Sequence, residues 1–88
     1  MDRNEIENRV RRVIGSVLNI DPNQLRLDAS LKDDLGATSL DRYTILMDIE
    51  DTFGLELDDV PEEQLERNIR TVSDVVEFIE FRMKGNER

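Results

Sequence analysis

"LGATSLDRYTI", residues 35–45, joins a polar, glycine-containing stretch to a run in which apolar residues recur at helical spacing. The junction reads as a helix start. Thr38 can act as the N-cap, its hydroxyl accepting from an amide two or three residues on, and Asp41 at the third helical position can reach back. Further along, Ile45, Leu46, Ile49 and Phe53 form one apolar stripe, and Gly54 suits a left-handed cap, so the spacing predicts a helix over 39–53. Leu40, Tyr43 and Met47 lie on a different side of it. The first stripe has a core to enter; the second is left free to face solvent.

Upstream, "NIDPNQLRLDASLKDDLGA" (19–37) has no helical period. Asp21-Pro22 breaks the preceding helix, and Leu25, Leu27, Leu31 and Leu35 pin what reads as a long ordered loop. Before it, Ile6, Val10, Val13, Ile14, Val17 and Leu18 recur at three- and four-residue spacings, predicting an amphipathic helix over about 3–18. Downstream, Pro61 suits the first turn of a short helix over 62–67. Thr71 with Asp74 repeats the cap pattern ahead of Val72, Val75, Val76, Ile79 and Met83, a last helix over 72–83. No stretch alternates convincingly with period two. The expectation is an all-α bundle of three main helices and one short one, a single domain over 1–88 with a long loop between its first two helices.

Composition narrows the chemistry. The chain has no cysteine and no histidine, which removes disulfides, thiolate nucleophiles, imidazole acid–base work and the common zinc sites. A calcium loop starting at Asp48 would put Phe53 where glycine is required, so no metal is expected. The formal net charge is −9, the wrong sign for nucleic acid or an anionic membrane. The charge is concentrated: residues 28–66 hold 13 acids against Lys32 and Arg42 alone. Basic proteins are therefore the expected partners. No apolar run approaches the roughly 20 residues of a membrane span and the amino terminus lacks the pattern of a signal peptide, so the expected location is the cytoplasm.

Ser39 sits in the first turn, where unpaired amides and the positive end of the helix dipole would favour an esterified phosphate by about 0.3–1 kcal/mol. Serine at a helix start is common and means little alone. The wider stretch "DDLGATSLDRYTILMDIEDTFGLEL" (33–57), however, resembles the attachment region of acyl carrier proteins, with its Asp-Leu-Gly-x-Asp-Ser-Leu pattern. Asp34, Leu35, Gly36, Ser39, Leu40, Asp41, Met47, Glu50 and Phe53 stand at the matching positions, and "TVSDVVEFI" (71–79) is similar to the start of the family's last helix.

The resemblance implies a non-catalytic carrier. Ser39 would bear 4'-phosphopantetheine taken from coenzyme A, and the arm's thiol would hold acyl intermediates of fatty-acid, polyketide or specialised lipid synthesis as thioesters. Partners would be a phosphopantetheinyl transferase and acyl-loading and acyl-transferring enzymes with basic docking patches, meeting a monomer at its second helix. Leu40, Asp41, Arg42, Tyr43, Met47, Asp48, Glu50, Asp51 and Glu56 would form that surface. An exposed alkyl chain loses about 0.8 kcal/mol per methylene left in water, so a cleft at Leu46, Ile49, Leu65, Ile69 and Val76 is expected to take it. The rival is an unmodified helical adaptor derived from a carrier. The sequence departs from the family pattern at Thr38, where aspartate is usual, and at Arg42, Tyr43 and Thr44, which replace small, aliphatic and acidic residues. Thr38 removes a negative charge that a generic phosphopantetheinyl transferase would meet, and the other three point to partners other than the common fatty-acid enzymes.

Overall fold

A computed structural model describes residues 1–57 and 59–85. Helix α1 (Arg3–Leu18) starts at Asp2, whose carboxylate accepts from the Glu5 amide at 2.9 Å, and stops at Asn19 in the left-handed region. Its buried face is Ile6, Val10, Val13 and Ile14. Gly15 joins that face for a steric reason: a Cβ there would meet the Ile20 carbonyl oxygen at 2.5 Å, because the chain turns back against the helix end.

The long connection contains a 3-10 turn over Pro22–Gln24 and then a second turn, in which the Ala29 amide donates to the Arg26 carbonyl at 3.1 Å. Leu25, Ala29 and Leu31 are buried and Leu27 is half-buried, while Arg26 and Asp28 face solvent. This is a period-two alternation, where none is expected from the sequence. It is short and its third inward position is a small alanine, so it carries little weight as a pattern, and it never becomes a strand. Three backbone bonds tie it to the start of the last helix: Ser73 N to Leu27 O at 2.8 Å, Val72 N to Ala29 O at 3.1 Å and Leu31 N to Arg70 O at 2.9 Å. Where a neighbouring strand would continue the ladder, the partner coils into a helix.

Helices α2 (Ser39–Phe53), α3 (Glu62–Asn68) and α4 (Val72–Gly85) follow. Helix α2 ends on Gly54, which has φ +66. Pro61 stands just ahead of α3 and not within it, its carbonyl accepting from Gln64 and Leu65 amides at 3.0 and 3.1 Å. Helix α4 is capped reciprocally: Thr71 Oγ1 accepts from the Asp74 amide and Asp74 Oδ2 from the Thr71 amide, both at 3.1 Å. Val72, Val75, Val76 and Ile79 of α4 are buried.

The result is an all-α bundle. Helix α1 packs on both α2 and α4, whereas α3 buries none of its residues. The side bounded by α2, α3 and α4 is more open and holds a cavity of about 320 Å³. None of the described helices is long and apolar enough to cross a membrane.

Candidate functional site

The start of α2 is assembled by its own sequence. Gly36, at φ +68, turns the chain, and Ala37 is buried with its amide bonded to the Leu31 carbonyl at 2.7 Å. Thr38 then caps the helix: its Oγ1 accepts from the Asp41 amide at 3.1 Å, and Asp41 Oδ2 accepts from the Thr38 amide at 3.0 Å. Capping is thus complete without Ser39. Its hydroxyl is exposed in the first turn and stands at the mouth of the cavity.

From that mouth the cavity runs along one stripe of α2, Ser39, Arg42, Tyr43, Leu46 and Glu50, towards Leu65 and Ile69. Of the five residues expected to form an acyl cleft, Leu46, Leu65 and Ile69 line it; Ile49 and Val76 do not. Those two are buried elsewhere in the core, and Ile45 and Val75, just as buried, take their places in the lining. Ile45 is one turn nearer Ser39 on the same face, and Val75 differs from Val76 by the 100° that separates consecutive helical residues. The lining also includes Leu31, Leu57 and Val60, whose contribution depends on how the two long connections fold back. Glu62 and Glu66 add charge to the α3 side.

The nine residues expected to meet partners do not form one face. Leu40, Tyr43 and Met47 make an outward apolar stripe, 72%, 62% and 48% exposed. Asp41 is half-buried and occupied with the cap. Asp48 and Asp51 sit across a shallow groove from Arg9 and Arg12 of α1. Glu50 turns the other way, its Oε2 accepting from the Leu57 amide at 2.9 Å, so it holds the turn after α2. Glu56 is exposed. The acids point in several directions, since capping holds Asp41 and the turn after the helix holds Glu50, while Asp48 and Asp51 face α1.

Arg42 differs most from expectation. Its Nη1 donates to the Ala37 carbonyl at 2.8 Å and its Nη2 to Ser39 Oγ at 3.4 Å, so its guanidinium is folded back over the helix start. The i, i+3 spacing from Ser39 to Arg42 was the available clue. Thr44 also folds back on its own helix, its hydroxyl donating to the Leu40 carbonyl at 3.0 Å. Among the described residues Ser39 Oγ is hydrogen-bonded to no side chain that could take its proton, its side-chain partner being Arg42. A 4'-phosphopantetheine group fits what is present: an exposed primary hydroxyl, a cation beside it and an apolar cavity within reach.

Comparisons with known proteins agree with that chemistry. Residues 8–79 match the family model described as a phosphopantetheine attachment site. The chain is similar to the acyl carrier protein of Thermotoga maritima, 41% identical over 81 residues that cover 92% of this chain and 95% of the relative. It is 37% identical to the acyl carrier protein of Thermosynechococcus vestitus over 79 residues, covering 90% and 93%. A solved structure of the acyl carrier protein from Enterococcus faecalis superposes with a TM-score of 0.72 at 30% identity, covering 93% of this chain and 99% of that one.

Proposed function

The chain belongs to the acyl carrier protein family, and we propose that within it Ser39 is the residue that carries the arm. The protein is an acyl carrier whose prosthetic group is 4'-phosphopantetheine. Members of the family carry and do not catalyse, and the group supplies the thiol on which an acyl chain is held as a thioester. One observation supports Ser39 above all: its hydroxyl is exposed, relieved of capping by Thr38, and opens onto the cavity between α2, α3 and α4.

On loading, Ser39 Oγ forms a bond to the phosphorus of coenzyme A bearing the pantetheine. The bond from that phosphorus to the 3',5'-ADP leaving group breaks, and the hydroxyl proton goes to a base. Among the described residues the side chain hydrogen-bonded to Ser39 Oγ is Arg42, which cannot accept a proton, so the transferase supplies the base. Leu46, Leu65 and Ile69 then receive the acyl chain. Residues 1–88 act as one monomeric, non-catalytic carrier domain, and loading from coenzyme A implies a cytoplasmic location.

A carrier works through visiting transferases and biosynthetic enzymes. Here Leu40, Tyr43 and Met47 form the contact, with Asp48, Asp51 and Glu56 at its rim steering enzymes that have basic patches. The bulk of Tyr43 selects against enzymes built for a small aliphatic residue. Intact mass after incubation with coenzyme A and a broad-specificity transferase, with fragmentation to locate the adduct, tests the assignment. A single phosphopantetheine on Ser39 is expected, with Ser39→Ala folded and unmodified. An adduct on the alanine variant would remove Ser39 from the role, and a chain that accepts no arm would be the helical adaptor instead.

A further inference from the structure

Resting on the reading of Ser39 as the attachment residue, we propose that Arg42 is a phosphate-binding residue that pairs with the phosphodiester at the root of the arm and holds that root at the cavity mouth. The arm's phosphorus would be bonded to the oxygen that Arg42 already approaches. Among the described residues Arg42 is the one charged side chain within hydrogen-bonding distance of Ser39 Oγ. Its guanidinium is held in place, because Nη1 is anchored on the Ala37 carbonyl at 2.8 Å while Nη2 is directed at Ser39. Arg42 and Ser39 both line the cavity, so a phosphate held between them starts the arm on that side of α2.

The charge balance makes the pairing worthwhile. A phosphodiester adds one negative charge to a segment, 28–66, that has 13 acids and only Lys32 and Arg42 as bases. Thr38, next to Ser39, is neutral, and Asp41 is engaged by the Thr38 amide. Arg42 is therefore a cation placed beside Ser39 inside an otherwise acidic segment. Arginine is well suited to this role, because its fork matches phosphate oxygens and it stays charged across the accessible pH range. A phosphodiester likewise does not titrate there, so the pair responds to salt and not to pH.

Apo and holo forms of the wild type, Arg42→Gln and Arg42→Lys provide the test, each holo form first checked for an adduct on Ser39. Three readouts apply: the holo-minus-apo melting midpoint, the phosphorus-31 shift of the phosphodiester, and the nitrogen-15 signals of the Arg42 side chain. Comparing holo with apo within one variant cancels whatever stability is lost with the Ala37 contact. The wild type should gain about 2–5 °C on loading at low salt, as expected for one partly exposed charge pair in a domain this small, and less at high salt. Arg42→Gln should show no gain or a loss, Arg42→Lys a partial gain, and the phosphorus line should move between wild type and Arg42→Gln. In the wild type alone, which needs no variant to fold, the Arg42 side-chain nitrogen signals should shift and exchange more slowly on loading. Equal holo-minus-apo differences, an unmoved phosphorus line and unchanged Arg42 signals, with the arm shown to be on Ser39, would overturn the pairing and leave the attachment reading intact. An adduct elsewhere would overturn both.

Discussion

The two sides of this bundle are built differently. Where α1 meets α2 and α4, Val10, Ile14 and Ile79 are fully covered, and all three helices begin on side-chain caps. On the side bounded by α2, α3 and α4, α3 has no side-chain cap and no buried residue, and Leu46 and Leu65 are only half-buried around the cavity. Polar clamps hold that side instead. Glu50 accepts from the Leu57 amide, and Arg82 reaches the Glu56 carbonyl at 2.7 Å and Asp59 at 2.9 Å. A small domain with a marginal stability margin can thus keep one side closed and let the other yield locally.

The largest contrast is expected from truncating one residue on each side. Ile14→Ala, at a fully buried position, should cost about 2–5 kcal/mol, while Leu65→Ala on the half-buried α3 should cost about 1 kcal/mol or less. Urea denaturation of both checks this, and equal losses would erase the distinction. Gly15→Ala comes next. Alanine's better helix propensity is worth about 1 kcal/mol, but displacing the Ile20 carbonyl from 2.5 Å sets against it an overpacking cost of about 1–3 kcal/mol. Net destabilisation is expected in the same denaturation assay, and a stabilised variant would show that the helix end is not tightly closed.

Glu50→Ala removes one clamp. A hydrogen bond to a charged group is worth about 1.5 kcal/mol, so amide exchange over residues 55–69 should accelerate roughly tenfold while α1 is unchanged. Uniform acceleration would mean that the two sides open together. The smallest effect is that of pH. The hydrogen bond from Arg82 holds the Asp59 carboxyl below the usual aspartate range. Its folded pKa is depressed, so its contribution is complete above the ordinary aspartate value and is lost as pH falls through the folded one. Acid titration should therefore loosen the turn after α2, and Asp59→Asn should abolish that part of the response. Asp59 is exposed, so the change should be slight and local.

The closed side was legible in the sequence because its determinants are local. The heptad-like spacing in α1, the Thr38–Asp41 and Thr71–Asp74 pairs and Gly54 each act within a turn or two of themselves. The open side was less so. Leu31, Leu57 and Val60 line the cavity only because distant connections return to it; the choice of Val75 over Val76 depends on helix rotation, and that of Ile45 over Ile49 on where along α2 the cavity lies, both of which periodicity alone leaves open. Arg42 illustrates a different limit. Its charge reads as part of an outward surface, yet the free Ala37 carbonyl and the Ser39 hydroxyl draw it back along its own helix.

If the working side of the carrier begins at Ser39 and opens between α2, α3 and α4, an acyl chain on the arm must stabilise that side and no other. Melting the holo protein with a graded series of acyl lengths, followed by amide exchange at each length, decides the matter. The midpoint should climb with each added methylene until the cavity is full, with protection rising at Leu46, Leu65 and Ile69 and unchanged at Val10 and Ile14. A midpoint and exchange pattern indifferent to chain length would show that the acyl chain lies elsewhere and that the open side is not the working one.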